Sequence, residues 1–146
     1  MKILTFDDKP DVNFFIEDFF EEHDVETCTN CSRVLQMLKD DNFDCYIVDL
    51  NSNVSGLKEE LGKKTENGLL TGWFLLTEHI WKHDLDGINK TIIFSDYNTQ
   101  LRRYLDSDKT SKDEKNQFNK LENYKRVVSK SEGIRALKNA IDSIRK

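Results

Sequence analysis

Acidic, hydroxyl and basic side chains stand directly after short apolar stretches at four places in the sequence. Asp7-Asp8 follows ILTF, Asp49 follows CYIV, Ser95-Asp96 follows TIIF, and Lys130 comes just after RVV. Adjacent carboxylates such as Asp7 and Asp8 repel each other, and a nearby positive charge favours their ionised form. The pair therefore predicts a bound cation or a basic partner, if the other groups lie close to it.

The elements that would position these residues are apolar stretches of strand length, each followed by a helical pattern. The pairs are ILTF with PDVNFFIEDFFEEH, VETC with SRVLQMLKDD, DCYIVDL with TGWFLLTEHIWKH, TIIFSD with YNTQLRRYL, and RVVSK with SEGIRALKNAIDSIRK. Five βα units predict a three-layer α/β/α fold with a parallel sheet covered by helices on both faces.

The strands differ in their apolar content, which predicts their order in the sheet. Residues 45–48 and 91–94 are nearly continuous apolar runs, as expected of strands that are buried on both faces. VETC and RVV are more polar or shorter, so we expect them at the sheet edges. This is consistent with a flavodoxin-like five-stranded parallel sheet of order 2-1-3-4-5, which binds ligands beyond the carboxyl ends of its strands.

Apolar residues at three- and four-residue spacing predict a buried stripe on the first and last helices. The expected stripes are Val12, Phe15, Ile16 and Phe19, and Ile134, Leu137, Ile141 and Ile144. We also expect core positions in the third helix at Trp73, Phe74, Leu76 and Ile80.

The polar residues after the strands would meet at one edge of this sheet. Asp7, Asp8 and Asp49 together offer hard oxygen ligands, the kind that suits Mg²⁺ bound through a few carboxylates plus phosphate oxygens. The Ser95 hydroxyl and the Lys130 ammonium beside them could hold a phosphoryl group.

This ordered set resembles the receiver domain of bacterial two-component response regulators. The similarity rests on Asp-Asp after the first strand, IVDL, IIFS, VVSK and the glycine-containing start of the third helix in NGLLTGWFLLTEHI. It implies that Asp49 accepts a phosphoryl group from a histidine kinase or a histidine phosphotransfer protein. It also implies that Mg²⁺, or Mn²⁺, is held by Asp7, Asp8, Asp49 and the backbone carbonyl of Asn51, while Ser95 and Lys130 bind the phosphoryl group.

The sequence departs from the receiver pattern at three positions. Asp96 stands where a small residue usually follows the hydroxyl, so its carboxylate would repel the phosphoryl group or point into solvent. Val127 replaces an aromatic residue that reports the switch in many members, and Ser131 replaces the proline after the lysine. We therefore treat Asp96 and Val127 as modulating positions.

Two polar stretches interrupt the alternation, at about 51–67 and 106–123, and both exceed the usual length of a connection. They are interpreted as surface insertions, mobile or carrying a short helix such as Asp113 to Tyr124. The charge run at 106–123 favours a solvated loop, with partner binding as the alternative.

Other interpretations compete at several residues. Asp7-Asp8 could cap the helix that starts at Pro10. Cys28 and Cys31 form a CxxC, to which Cys45 and His23 could add zinc ligands, but a second ligand pair is missing. His79 and His83 are four residues apart, yet Ile80 stands where a zincin helix needs glutamate, which favours an exposed helical face.

Composition narrows the class of protein. The 146 residues fit one domain, and a net charge of −5 with mixed signs argues against nucleic-acid binding. No stretch has the length of a membrane span or the form of a secretory signal, so we expect a cytoplasmic protein. The three cysteines are then expected to be free thiols.

The favoured hypothesis is a stand-alone receiver in phosphorelay signal transduction, spanning residues 1–146 without an output domain. It would contact an unknown downstream protein, and a homodimer is possible. Beyond its own phosphorylation and dephosphorylation, it would not be an enzyme. The alternative is a pseudo-receiver that binds partners without phosphate. A haloacid-dehalogenase-type enzyme is disfavoured, because a second Asp should follow the first-strand nucleophile by two residues and Lys9-Pro10 follows Asp8.

Overall fold

Five parallel strands form one sheet in the order β2-β1-β3-β4-β5. The computed structural model describes residues 1–51, 70–107 and 110–145. The strands are β1 (Lys2–Phe6), β2 (Asp24–Cys28), β3 (Cys45–Val48), β4 (Thr91–Phe94) and β5 (Val127–Val128). The predicted strand order is confirmed, and so is the placement of the two weaker strands at the edges.

Helices cover both faces of the sheet, which confirms the predicted α/β/α class. They are α1 (Pro10–Phe19), α2 (Cys31–Asp40), α3 (Thr71–Leu75, the π-helical turn Leu76–Ile80 and Trp81–His83), α4 (Asn98–Leu105), α5 (Lys112–Asn123) and α6 (Gly133–Arg145). Short 3-10 turns at Gly87–Lys90 and Lys130–Glu132 precede β4 and α6. In the described ranges no helix is long and apolar enough to cross a membrane.

The sheet separates two apolar clusters. The larger one joins it to α2 through α5, with Val34, Trp73, Leu101 and Phe118 among its members. The smaller one lies under α1 and α6 and includes Ile16, Leu137 and Ile141. All four of the core positions expected in α3 are buried: Trp73, Phe74, Leu76 and Ile80.

The buried face of α1 differs from the predicted stripe. Phe15 is 54% exposed and Phe19 is 42% exposed, whereas Asn13, Ile16 and Phe20 are buried. Phe14 is also 71% exposed. Phenylalanines lie on several faces of this helix, so apolar spacing alone could not indicate which of them face the sheet. In α6 the prediction holds better, since Leu137 and Ile141 are buried and Ile134 and Ile144 pack at the cluster's margin.

The second expected insertion contains α5, which begins at Lys112 because Ser111 and Glu114 form a capping box. The expected short helix from Asp113 to Tyr124 is confirmed to within one residue at each end. The solvated-loop interpretation is wrong for this helix, because Phe118 and Leu121 are buried in the larger cluster. Trp73 packs edge-on against Phe118 at 6.1 Å between ring centroids, and its Nε1 donates to Glu114 Oε1 at 3.1 Å. The first insertion lies outside the described residues except for Asn51.

Candidate functional site

Strand register brings the acidic residues to the carboxyl edge of the sheet. Phe6 of β1 pairs with Val48 of β3, and one residue further on the Asp49 amide donates to the Phe6 carbonyl at 2.9 Å. On the other side of β1, the Asp7 amide donates to the Cys28 carbonyl at 3.1 Å. The backbone ladders therefore continue past the strand ends and hold Asp7 and Asp49 side by side.

Asp7, Asp8 and Asp49 form an acidic cluster in which one carboxylate oxygen of each lies within 4.8 Å of the others. Asp7 and Asp49 are only 2% and 3% exposed. The Oδ1 atoms of Asp8 and Asp49 are buried and accept no hydrogen bond from the described residues. Buried carboxylate oxygens without donors are costly, and a divalent cation would satisfy them. The acidic cluster therefore fits Mg²⁺.

Lys130 supplies the positive charge nearest to the acidic cluster. Its Nζ lies 2.7 Å from Asp7 Oδ2 and 3.2 Å from Asp49 Oδ2. Burial alone would lower the pKa of Lys130, but the hydrogen bond to Asp7 and the charge of Asp49 outweigh burial and raise it. The lysine is therefore held in its charged form between two of the three carboxylates.

The surroundings of Asp49 disfavour its ionised form. Burial raises its pKa, and the charge of Asp7 raises it further. The Ser95 hydroxyl and Lys130 lower the pKa only in part, so that it stays above the ordinary value of 3.8. A cation or a phosphoryl group arriving at this carboxylate would relieve the repulsion.

Lys130→Met should destabilise the metal-free protein by up to about 3–5 kcal/mol, since removing one partner leaves buried charges uncompensated. The raised pKa of Lys130 means that its stabilising contribution is fully present below 10.5 and is lost as the pH rises through the folded-state value. Urea denaturation at pH 7 with and without Mg²⁺ measures this, and we expect Mg²⁺ to restore much of the loss. A variant as stable as the parent would contradict this role.

Ser95 and Asp96 directly follow β4 and differ in their exposure to solvent. Ser95 is fully buried, and its Oγ accepts hydrogen bonds from the amides of Leu50 at 3.3 Å and Tyr97 at 3.1 Å. Its hydroxyl thus lies against the loop that carries Asp49, as the predicted contact requires. Asp96 is exposed, which favours the solvent-pointing one of the two placements considered for its carboxylate.

Val127 begins the edge strand β5, where it pairs with Ile93 and is partly buried against the larger cluster. The next residue, Val128, is bonded to the site, because the Ser95 amide donates to the Val128 carbonyl at 3.1 Å. The side chain at position 127 is an isopropyl group without a ring, and its effect on the site stays a prediction.

Gly72 in α3 lies against the chain that carries Asp49. Its amide donates to the Leu50 carbonyl at 2.9 Å, and a Cβ at this position would lie 1.9 Å from the Asp49 carbonyl oxygen. Only glycine allows this approach. The glycine-containing start of the third helix therefore has a structural reason at Gly72.

Two buried asparagines next to the site were not predicted. Asn13 donates to the carbonyls of Asp7 and Cys28, and Asn98 donates to the Ser95 carbonyl at 3.1 Å. Their positions near the starts of α1 and α4 are visible in the sequence, but the sequence does not indicate that their side chains face the interior.

The competing interpretations find less support. Asp7 Oδ1 accepts from the Lys9 amide at 2.9 Å, but Lys9 is the N-cap of α1 and makes no side-chain cap. Burial raises the pKa of Cys28 to about 11 and that of Cys31 to about 12, which disfavours the thiolates that zinc requires. Cys45 belongs to the cluster on the opposite face of the sheet.

All three cysteines are free and buried, as expected for thiols. His83 is exposed and His79 is partly buried, so that the predicted exposed helical face holds for His83. Within the described ranges, the acidic cluster is the one group of three or more metal-ligating side chains close enough to share an ion.

Comparison with known proteins finds a similar structure but no match by sequence. No family model and no curated protein matches the chain. The structure is similar to that of response regulator protein TrrA from Thermotoga maritima in complex with Mg(2+)-BeF, with a TM-score of 0.50 and 21% sequence identity. The similarity covers 82% of this chain and 97% of that one. The chain therefore shares its flavodoxin-like fold with that protein.

Proposed function

We propose that this protein is a receiver in phosphorelay signalling, which accepts a phosphoryl group on Asp49 and signals by protein contact. The observation that carries the proposal is the convergence of the acidic cluster with Lys130 at the carboxyl edge of the sheet. The fold shared with a response regulator supports it. Apart from this self-modification, we expect no enzymatic turnover.

The residues divide the chemistry among them. Asp49 would attack the phosphorus of a phosphohistidine, so that a P–O bond forms while the P–N bond breaks and the imidazole leaves. Lys130 Nζ lies 3.2 Å from Oδ2 of the attacking Asp49 carboxylate and would pair with the phosphoryl oxygens, to which the Ser95 hydroxyl would donate. Mg²⁺ held by Asp7, Asp8, Asp49 and the Asn51 carbonyl would neutralise the charges that meet there.

The phosphoryl donor would be a histidine kinase or a histidine phosphotransfer protein. Helix α1 starts at Pro10, two residues after Asp8, so a donor that reaches Asp49 passes close to it. This helix exposes Phe14, Phe15 and Phe19, and exposed aromatic side chains of this kind are typical of protein interfaces. The downstream protein, a homodimer and the cytoplasmic location remain predictions from the sequence.

The alternative is a pseudo-receiver that works without phosphate. Lys130 lies closer to Asp7, at 2.7 Å, than to Asp49, at 3.2 Å. An ammonium in that position already balances part of the negative charge that Mg²⁺ would neutralise. Buried apolar contacts also hold α5 against the rest of the protein. The exposed side of this helix could therefore bind a partner without a contribution from Asp49.

Beryllofluoride, which mimics a phosphoryl group, distinguishes the two functions. We expect Mg²⁺ with beryllofluoride to change the tryptophan fluorescence, because Trp73 follows Gly72, which contacts the Asp49 chain. Trp81 also lies in the larger cluster, so Trp81→Phe is the matched variant that assigns the change to Trp73. An unchanged spectrum, together with no mass increase after incubation with a small phosphodonor, would favour the pseudo-receiver.

A further inference from the structure

Asn13 is a buried amide on the face of α1 that packs against the sheet. It is 3% exposed, and the next buried residues along the helix are the apolar Ile16 and Phe20. A buried amide is costly unless its hydrogen bonds are made. The partners of Asn13 therefore indicate what this residue does.

The side chain of Asn13 makes three hydrogen bonds, all to residues at the carboxyl ends of β1 and β2. Its Nδ2 donates to the Asp7 carbonyl at 2.9 Å and to the Cys28 carbonyl at 3.1 Å. Its Oδ1 accepts from the Thr5 hydroxyl at 3.3 Å, which fixes the amide orientation. We call Asn13 and Thr5, with the two carbonyls, the Asn13 clamp.

The Asn13 clamp holds both backbone groups of Asp7. The Asp7 amide donates to the same Cys28 carbonyl at 3.1 Å, and the Asp7 carbonyl belongs to the peptide that joins Asp7 to Asp8. The Asp7 carboxylate has further partners in Lys9 and Lys130. Asp8 Oδ1 accepts no hydrogen bond from the described residues. The orientation of the Asp8 carboxylate therefore depends on the Asp7-Asp8 peptide, whose carbonyl accepts from Asn13.

We propose that Asn13 is a positioning residue of the Mg²⁺ site, acting on the Asp7-Asp8 peptide without touching the ion. This inference rests on the proposed function, since it assumes that the acidic cluster binds Mg²⁺. Groups that orient metal ligands without binding the metal commonly change affinity by 10- to 100-fold when they are removed. A purely structural asparagine would change stability and leave Mg²⁺ affinity unaltered.

The test compares Asn13→Leu and Thr5→Val with Thr91→Val, a matched loss of a buried strand hydroxyl. Thr91 begins β4 and bonds to Trp81 and the Gly87 carbonyl, at the end of the strand away from Ser95. Mg²⁺ affinity is measured by titration calorimetry with the metal alone, and urea denaturation without Mg²⁺ reports stability. We expect Asn13→Leu to weaken Mg²⁺ binding by about tenfold or more. Thr5→Val should weaken it less, and Thr91→Val should leave it unchanged.

Parental Mg²⁺ affinity in a less stable Asn13→Leu protein would overturn the proposal. Where Asn13→Leu does not fold, Thr5→Val decides, and equal Mg²⁺ affinity in Thr5→Val and Thr91→Val would overturn it. Absence of Mg²⁺ binding in the parent protein is a different result, which removes the metal site of the proposed function itself.

Discussion

Asp49→Asn should abolish phosphoryl uptake and should also make the metal-free protein more stable at neutral pH. The amide cannot act as the nucleophile, so mass spectrometry after incubation with Mg²⁺ and a small phosphodonor should show no adduct. The gain in stability follows from the surroundings of Asp49, because burial and Asp7 both disfavour its ionised form.

The pH dependence of this effect follows from the raised pKa of Asp49. A carboxyl with a raised folded-state pKa contributes stability that is fully present below its unfolded value of 3.8 and is lost as the pH rises through the folded value. The difference between Asp49→Asn and the parent should therefore grow from acid to neutral pH and then level off. Urea denaturation over this range measures it.

In the presence of Mg²⁺ the parent should become more stable than Asp49→Asn, the reverse of the order expected without the metal. Binding to the folded state stabilises the parent by mass action, whereas Asp49→Asn has lost one of its three carboxylates and should gain less. Asp40→Asn is the control, because Asp40 is exposed at the end of α2 and the same charge is removed there. Phosphoryl uptake by Asp49→Asn equal to that of the parent would show that another residue is the acceptor.

Gly72→Ala should cost roughly 1–3 kcal/mol of stability or more, as overpacking at a close contact does. The added methyl would lie 1.9 Å from the Asp49 carbonyl oxygen, 2.8 Å from its carbon and 2.9 Å from Val48 Cγ1. Two of these neighbours are backbone atoms, so the chain itself must move. Alanine favours a helix by about 1 kcal/mol over glycine, so a loss here would have to come from the contact.

The same substitution should also disturb the site, because the displaced atoms belong to Asp49. We expect weaker Mg²⁺ binding in titration calorimetry, beyond the lower midpoint in urea. Gly87→Ala is the matched control, since its nearest neighbour would be a side-chain atom, Trp81 Cδ1, at 3.1 Å. Equal stability of Gly72→Ala and the parent would mean that α3 can withdraw from β3 without cost.

The sequence alone determined the strand order and the residues that end each strand. The apolar content of each strand follows from its own residues, and it indicates whether the strand is central or at an edge. Parallel strands necessarily bring their carboxyl ends to one edge of the sheet. The sequence therefore predicts that Asp7, Asp8, Asp49 and Lys130 lie together, and the observed cluster and ion pairs agree with that prediction.

Contacts between distant segments were decided by the tertiary structure. Phenylalanines at positions 14, 15, 19 and 20 make several faces of α1 apolar, and only packing against the sheet selects Phe20 and leaves Phe15 exposed. The inward direction of Asn13 follows from the same rotation of the helix. Likewise, the spacing of residues along the sequence does not indicate that Lys130 lies closer to Asp7 than to Asp49, because both distances depend on how segments far apart in the sequence pack together.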